Sequence, residues 1–240
     1  MIMKNDIEIR SMELLCDMQG ELVRALNSLA GKESNGLLEK FLLYSAKYIN
    51  RAADGYTVLR KASRIDASKL LIRPAIEAMI RAVAVQKQPD LLYTIAYDEQ
   101  TKHRKMARPI AVNAGMDYDT EDEKAWSVFR RECVAQFPKH KLVEKELQLT
   151  TVADIVGIRP YYDRAYRLYC SFVHATFKAM MGDAHTDSID NWTMATCALS
   201  GLEFVVSAGG EAPKLISLRA RLSALQSELH APGTAKAADS

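Results

Sequence analysis

The sequence contains few of the residues that interrupt helices. It has eleven glycines and seven prolines among 240 residues, well below the roughly 12% combined share of an average chain. No stretch shows the alternation of apolar and polar residues that is typical of a half-buried strand. With 48% apolar and 26% charged residues, the composition argues against a turn-rich β fold and favours long helices in a globular chain.

Cysteine is also scarce, and long apolar runs are absent. The four cysteines are widely separated and form no Cys-x-x-Cys pair, so a zinc-ribbon or thioredoxin-type motif is not supported. No run approaches the roughly 18 apolar residues of a membrane span, and the first residues lack a signal-peptide pattern. We therefore expect a cytoplasmic protein without a membrane segment, whose thiols are reduced and mostly buried.

Neither sign of charge dominates. The chain has 32 basic and 30 acidic residues and a net charge of +2, which excludes a binder driven by overall cationic charge, although not a local basic site. The sequence also lacks His-Glu-x-x-His, Glu-x-x-His, a P-loop and Gly-x-Gly-x-x-Gly, which are signatures of metal and nucleotide-cofactor sites. We predict no metal and no cofactor.

Apolar residues recur at helical spacing along most of the chain. They predict helices over 6–30, 38–64, 67–88, 91–114, 125–137, 161–181, 188–208 and 213–229, with one or two short helices between 138 and 158. Pro74 should kink the third of these helices or divide it into two. The candidate N-caps and the glycines that end helices are Asn35, Asp66, Thr120, Thr151, Gly31, Gly115, Gly182 and Gly209.

We therefore predict an all-α, single-domain bundle of seven or eight helices over 1–210, a C-terminal heptad-like helix over 211–230 and a disordered tail over 231–240. In the last helix, leucines recur at intervals of 3, 4, 3 and 4, at Leu215, Leu218, Leu222, Leu225 and Leu229. This seam fits packing on the same chain, or pairing with a partner helix across a two-fold axis. We expect a homodimer, because two-fold dimers are the commonest oligomers.

The helix predicted over 161–181 carries a polar stripe opposite its apolar side. Asp163, Arg167, Ser171, His174 and Lys178 follow one another at steps of four, four, three and four, which places them on one side of a helix. The seven residues from arginine to histidine correspond to about 20° around the axis and about 10 Å along it. The pattern therefore puts a guanidinium and an imidazole on one face.

This pair of groups suits metal-free cleavage of RNA. Arg167 would hold the phosphate and stabilise its growing charge, and His174 would transfer a proton to or from an oxygen. Asp163 would orient Arg167, while Tyr166 and Tyr169 would stack a base. The alternative is an ordinary amphipathic helix with a surface ion pair and a structural histidine.

A second set of charges lies on the mostly apolar helix over 67–88. Arg73, Glu77 and Arg81 recur every four residues, and charges on a buried helix are costly unless they are paired. They form an internal Arg–Glu–Arg ladder, or they face the polar stripe. In the second case Glu77 would orient His174 or Arg167, and Arg73 would add positive potential for a phosphate.

These motifs carry a family resemblance. Arg167 and His174, separated by six residues on a late helix, resemble the Arg-x4–6-His motif of the HEPN superfamily (higher eukaryotes and prokaryotes nucleotide-binding). Arg73-x-x-x-Glu77 followed by a Tyr-rich helix ending Ser171-x-x-His174 also resembles an uncharacterised bacterial helical family. The resemblance implies a dimeric helical bundle with two Arg/His pairs at the subunit interface. It also implies a metal-independent endoribonuclease that acts as a toxin or phage-defence effector.

The sequence therefore predicts a HEPN-type ribonuclease with RNA or a nucleotide as its ligand. The predicted residues are catalytic Arg167 and His174, supporting Asp163, Ser171, Glu77 and Arg73, and RNA-contacting Tyr166, Tyr169 and Lys178. The alternatives are a non-enzymatic interaction or scaffold protein, with a partner protein on the C-terminal helix, and a regulatory nucleotide-binding protein. Leu168 replaces the polar residue that commonly follows the motif arginine in HEPN proteins, which leaves a non-cleaving binder open.

Overall fold

A computed structural model describes residues 2–31, 36–115, 118–140, 142–167, 169–170 and 187–229. Within these ranges all regular secondary structure is helical, which confirms the predicted all-α class. The elements are α1 (Ile2–Ser28), α2 (Leu37–Lys61), α3 (Ile65–Lys69), α4 (Ile72–Lys87), α5 (Leu91–Asn113), α6 (Tyr118–Gln136), α7 (Leu149–Ile155), α8 (Arg159–Tyr161), a π-turn (Tyr162–Tyr166), α9 (Asp187–Ser207) and α10 (Leu215–Leu229).

Helix α9 lies at the centre, packed against α1, α2, α4 and α10. Its residues are buried on almost every side, as expected for a helix that is apolar nearly all round. Large buried side chains from the surrounding helices complete one core, among them Leu15, Met18, Leu22, Ile49, Tyr56, Ile76 and Ile80. No helix in the described part of the chain combines the length and the hydropathy needed to cross a bilayer.

The proline in the predicted third helix marks a division. That helix is two helices, α3 and α4, separated at residues 70–71. Pro74 lies in the first turn of α4, where the missing backbone N–H removes no intrahelical hydrogen bond. The division, together with the short α7 and α8, gives the described residues more helices than the predicted seven or eight.

The predicted stops at glycine are confirmed, but several predicted caps are wrong. Gly31, Gly115 and Gly209 have φ values of 80°, 68° and 84°, the left-handed conformation that ends helices. In contrast, α3, α6 and α7 each begin before their predicted cap, so Asp66, Thr120 and Thr151 lie inside helices. Polar residues in a first turn resemble caps in sequence, and each of these helices starts one or two residues earlier, within the usual variation of a helix boundary. Asn35 and Gly182 lie outside the described residues.

The leucines of α10 pack on the same chain. Leu218, Leu222 and Leu225 are buried and belong to the core formed with α1 and α9. Ile216, which lies outside the seam, is 82% exposed. The C-terminal helix therefore serves as a packing helix of the bundle, and the tail predicted over 231–240 lies outside the described residues.

Candidate functional site

The polar stripe begins on a π-turn rather than on a regular α-helix. Pro160 lies at the start of α8, and the chain continues through the π-turn (Tyr162–Tyr166) into helical Arg167. A π-turn adds a residue to a helical turn and occurs frequently at functional sites. The periodicity alone predicted an uninterrupted helix from residue 161.

Asp163 lies between two arginines. The Arg159 Nε donates to Asp163 Oδ2 at 2.9 Å, and a second hydrogen bond of 2.8 Å joins Arg159 to Asp154. The Arg167 Nη1 lies 3.6 Å from Asp163 Oδ1, beyond hydrogen-bonding distance. The structure thus brings Asp163 and Arg167 together. Arg159 is held at two points, whereas the Arg167 side chain is 69% exposed.

Tyr166 is engaged by α4 rather than open to a ligand. The Arg73 guanidinium carbon lies 5.4 Å from the Tyr166 ring centroid, and Arg73 Nε donates to the Tyr166 hydroxyl at 3.3 Å. The ring also stacks on Tyr162 with centroids 4.8 Å apart. Because the ring is buried, Tyr166 positions Arg73 next to the π-turn and does not offer a free face to a base. This corrects its predicted role, and Arg73 lies beside the π-turn.

Tyr169 is a core residue. Its ring is 0% exposed, and its hydroxyl donates to Asp190 Oδ1 at 2.6 Å. The second carboxylate oxygen of Asp190 lies 3.8 Å from the Lys69 ammonium, and both side chains are almost completely buried. The predicted base-stacking role of Tyr169 is therefore replaced by a structural one, because a ring enclosed on all sides cannot meet a base.

Asp190 and Lys69 belong to a larger polar cluster that the sequence analysis missed. The Tyr56 hydroxyl donates to Asn191 Oδ1 at 2.7 Å, and Asn191 Nδ2 donates to Ser11 Oγ at 3.1 Å. Nearby, Arg60 forms ion pairs of 2.9 Å with Glu8 and Asp187. The available signal was a pair of polar residues, Asp190 and Asn191, in an otherwise apolar helix, since buried polar groups require partners.

The environment of Asp190 changes its acidity. Burial raises the pKa of its carboxyl from 3.8 to about 6, while the hydrogen bond from Tyr169 and the charge of Lys69 act in the opposite direction. Desolvation disfavours the charged form of a carboxyl more strongly than these two partners favour it. Asp190 is therefore a buried acid that titrates in the mildly acidic range.

Glu77 belongs to a ladder on α4 rather than to the π-turn. Arg81 donates to Glu77 at 2.8 Å and also bonds Glu99 of α5. The acidic partner of Arg167 is Asp163, so the predicted orienting of Arg167 by Glu77 is not found. Glu77 instead fixes Arg81 in a groove between α2, α4 and α5.

Three of the predicted residues, Ser171, His174 and Lys178, lie outside the described residues. The role of His174 in proton transfer thus stays a prediction. In the part of the chain that the structure describes, no group of three or more His, Cys, Asp or Glu side chains is placed to hold a metal ion.

Fold and site together define an all-helical protein with an arginine-rich π-turn beside a buried acid–lysine pair. The family described as a family of unknown function, DUF5677, matches residues 39–191. The match runs from α2 to the first residues of α9 and includes the π-turn, Arg73 and Asp190. Since it covers more than half of the chain, the protein belongs to this family. No curated protein and no solved structure matches the chain.

Proposed function

We propose that the protein is a metal-independent endoribonuclease of HEPN type, active as a homodimer in the cytoplasm as a toxin or phage-defence effector. Arg167 binds the scissile phosphate, and His174 transfers the proton. Asp163 holds Arg167 near the substrate. Ser171 and Lys178 supply further polar contacts on the same stripe.

The exposed guanidinium of Arg167 carries this proposal. Its contact with Asp163 is 3.6 Å and its side chain is largely in solvent, so most of its N–H donors are open to a ligand. A guanidinium presents these donors in a planar fork that matches phosphate oxygens. Arg73 adds a second positive charge beside the π-turn through its contact with Tyr166.

The reaction needs only a proton acceptor and a charge stabiliser. His174 takes the proton of the 2′-hydroxyl, and the 2′-oxygen attacks the adjacent phosphorus. The P–O5′ bond breaks, the 5′-oxygen takes up the proton that His174 accepted, and the products are a 2′,3′-cyclic phosphate and a 5′-hydroxyl end. Arg167 stabilises the charge that builds up on the phosphoryl oxygens in the transition state.

The test is cleavage of single-stranded RNA by the purified full chain in the presence of a chelator. We expect 2′,3′-cyclic phosphate ends from the wild type. Arg167→Ala should lower the rate by about 10²–10³-fold, the usual loss for one charge-stabilising donor. His174→Ala should lower it by about 10²–10⁴-fold, the range for general acid–base catalysis.

Arg221→Ala is the matched control. Arg221 is also half-exposed on a helix and paired with a single aspartate, Asp17, at 2.7 Å, but it lies on α10. This variant should cleave at the wild-type rate. A wild type that is folded and dimeric by light scattering yet leaves RNA intact would refute the nuclease.

The second candidate is a non-enzymatic scaffold or regulatory nucleotide-binding protein. The burial of Tyr166 and Tyr169 and the pairing of Glu77 with Arg81 favour it, because these residues act in packing. A scaffold predicts no cleavage and no ligand effect. A nucleotide-binding module predicts thermal stabilisation by a nucleotide without turnover.

A further inference from the structure

An exposed stripe on α2 combines two tyrosines with cations. Tyr44 and Tyr48 are 69% and 42% exposed, and Lys40, Lys47 and Arg51 are exposed as well. The five positions fall within about a third of the helix circumference at 100° per residue. We name them the α2 stripe.

The cations of the α2 stripe are available to a ligand. Among the described residues, no acidic side chain forms an ion pair with Lys40, Lys47 or Arg51, whereas the exposed Lys102, Lys105 and Arg221 are each paired with a carboxylate. Exposed aromatic rings interleaved with cations are the features by which proteins bind single-stranded nucleic acids. The rings stack on bases, and the cations contact the phosphates between them.

The α2 stripe borders a cavity. Tyr44 and Tyr48 line a groove of about 340 Å³ together with Phe41, and the opposite wall contains Glu77, Arg81 and Glu99. This volume lies within the range of small-ligand sites. The ion-paired Arg81 and the two carboxylates offer hydrogen-bond donors and acceptors side by side, which suits the edge of a nucleobase.

The groove leads toward the π-turn. Pro74 lines the groove, and the residue before it, Arg73, contacts Tyr166 of the π-turn. Arg73 and Arg81 are eight residues apart on α4, or about 12 Å along the axis. Helix α4 therefore contacts the π-turn through Arg73 and lines the groove through Pro74 and Arg81.

We propose that the α2 stripe and the adjoining groove bind single-stranded RNA. Bases stack on Tyr44 and Tyr48, Lys47 and Arg51 contact the phosphates, and one base enters the groove toward Arg81. This inference rests on the proposed function, since it names the surface that presents the substrate to Arg167. It also supplies the base-stacking surface that the buried Tyr166 and Tyr169 cannot provide.

The test is binding of a fluorescent 2′-O-methyl oligoadenylate of about twelve nucleotides, measured by anisotropy with the full chain. The methylated 2′-oxygen cannot attack the phosphate, so binding is measured without cleavage. Tyr44→Ala and Tyr48→Ala should each weaken binding about tenfold, and Tyr44→Phe with Tyr48→Phe should restore it because the rings remain. Lys47→Ala and Arg51→Ala should each reduce the salt dependence of log K by about 0.7.

The outcomes separate this inference from the nuclease. If the tyrosine-to-alanine variants bind like the wild type, or if duplex RNA binds as tightly as the single strand, the α2 stripe is not the binding surface, whatever the cleavage assay shows. Loss of binding in the tyrosine-to-alanine variants supports the inference by itself, even if the wild type does not cleave RNA. Arg221→Ala should leave both affinity and salt dependence unchanged.

Discussion

Single side chains have their largest effect on the stability of the folded protein in the buried polar cluster. Asp190, Lys69 and Tyr169 are almost fully removed from water, so each group depends on its partners. Removing one member of a buried ion pair strongly destabilises the folded protein, because the other charge stays buried without a partner. The cluster joins α9 to α2, α3 and the segment after the π-turn through these few contacts.

The first prediction concerns the pH dependence contributed by Asp190. Its pKa is raised in the folded protein from 3.8 to about 6 by burial. The native state therefore holds more protons than the unfolded state between about pH 4 and pH 6, and the free energy of unfolding falls as the pH rises through this window. The effect is up to about 3 kcal/mol for a shift of about two units.

Denaturant unfolding of the wild type and of Asp190→Asn at pH 4 and pH 7 measures this effect. Asparagine does not titrate and still accepts the hydrogen bond from Tyr169. The advantage of the wild type over the variant should be larger at pH 4 than at pH 7. An advantage that stays constant between the two pH values would contradict a raised pKa for Asp190.

The helices differ in how well their local sequence predicts where they begin and end. The long helices α1, α2, α5, α9 and α10 follow from apolar periodicity, and α1, α5 and α9 also from the glycines that end them, because these signals are local. The beginnings of α3, α6 and α7 do not, since each helix starts one or two residues before the polar residue that resembles a cap. The π-turn was not predicted from the sequence either, because one extra residue in a helical turn leaves the composition of the segment unchanged.

The second prediction compares two glycines. Gly20 lies in the interior of α1 with open space around the position of a Cβ. Gly20→Ala should raise the free energy of unfolding by about 1 kcal/mol, because alanine loses less backbone entropy in a helix than glycine does. The measurement is denaturant unfolding, with helix content followed by circular dichroism.

Gly210, between α9 and α10, is the contrasting position. A Cβ there would lie 3.0 Å from the Val205 carbonyl oxygen and 2.5 Å from Val205 Cγ1, so the backbone of the connection must move. Gly210→Ala should lower the free energy of unfolding by about 1–3 kcal/mol. If both glycine variants changed the free energy of unfolding in the same direction, the result would contradict close packing at Gly210.

For the molecule as a whole, α10 completes the same core that the other helices form. Leu218, Leu222 and Leu225 are covered by α1 and α9. The third prediction is that Leu218→Ala lowers the free energy of unfolding by about 2–5 kcal/mol, as other buried leucine truncations do. The molar mass in light scattering should not change. Ile216→Ala, at an 82% exposed position on the same helix, should leave stability unchanged.

A different result would reassign the leucine seam. If Leu218→Ala converted a dimer to a monomer while the free energy of unfolding of the monomer stayed the same, the seam would belong to the subunit interface. The burial of the leucines by their own chain argues for the first outcome, because the core that they join is already closed by α1 and α9.

The contacts of the candidate site divide in the same way, into those between residues close in sequence and those between residues distant in sequence. The spacing of Asp163 and Arg167 predicted their contact correctly, since both lie on one short segment. The partners of Tyr169 and Lys69 were not predicted, because they come from residues distant in sequence. The contact of Glu77 with Arg81, four residues further along α4, was one of the two predicted alternatives.

The amino-acid pattern was sufficient for the all-helical class, for most helix spans and for the contact of Asp163 with Arg167, because each depends on interactions within about four residues. Which tyrosines are open to a ligand was decided only when the helices packed. Tyr166 and Tyr169 became enclosed against α4 and α9, whereas Tyr44 and Tyr48 stayed in solvent. Burial is a property of the assembled core, and a tyrosine has the same spacing in sequence whether its ring faces that core or water.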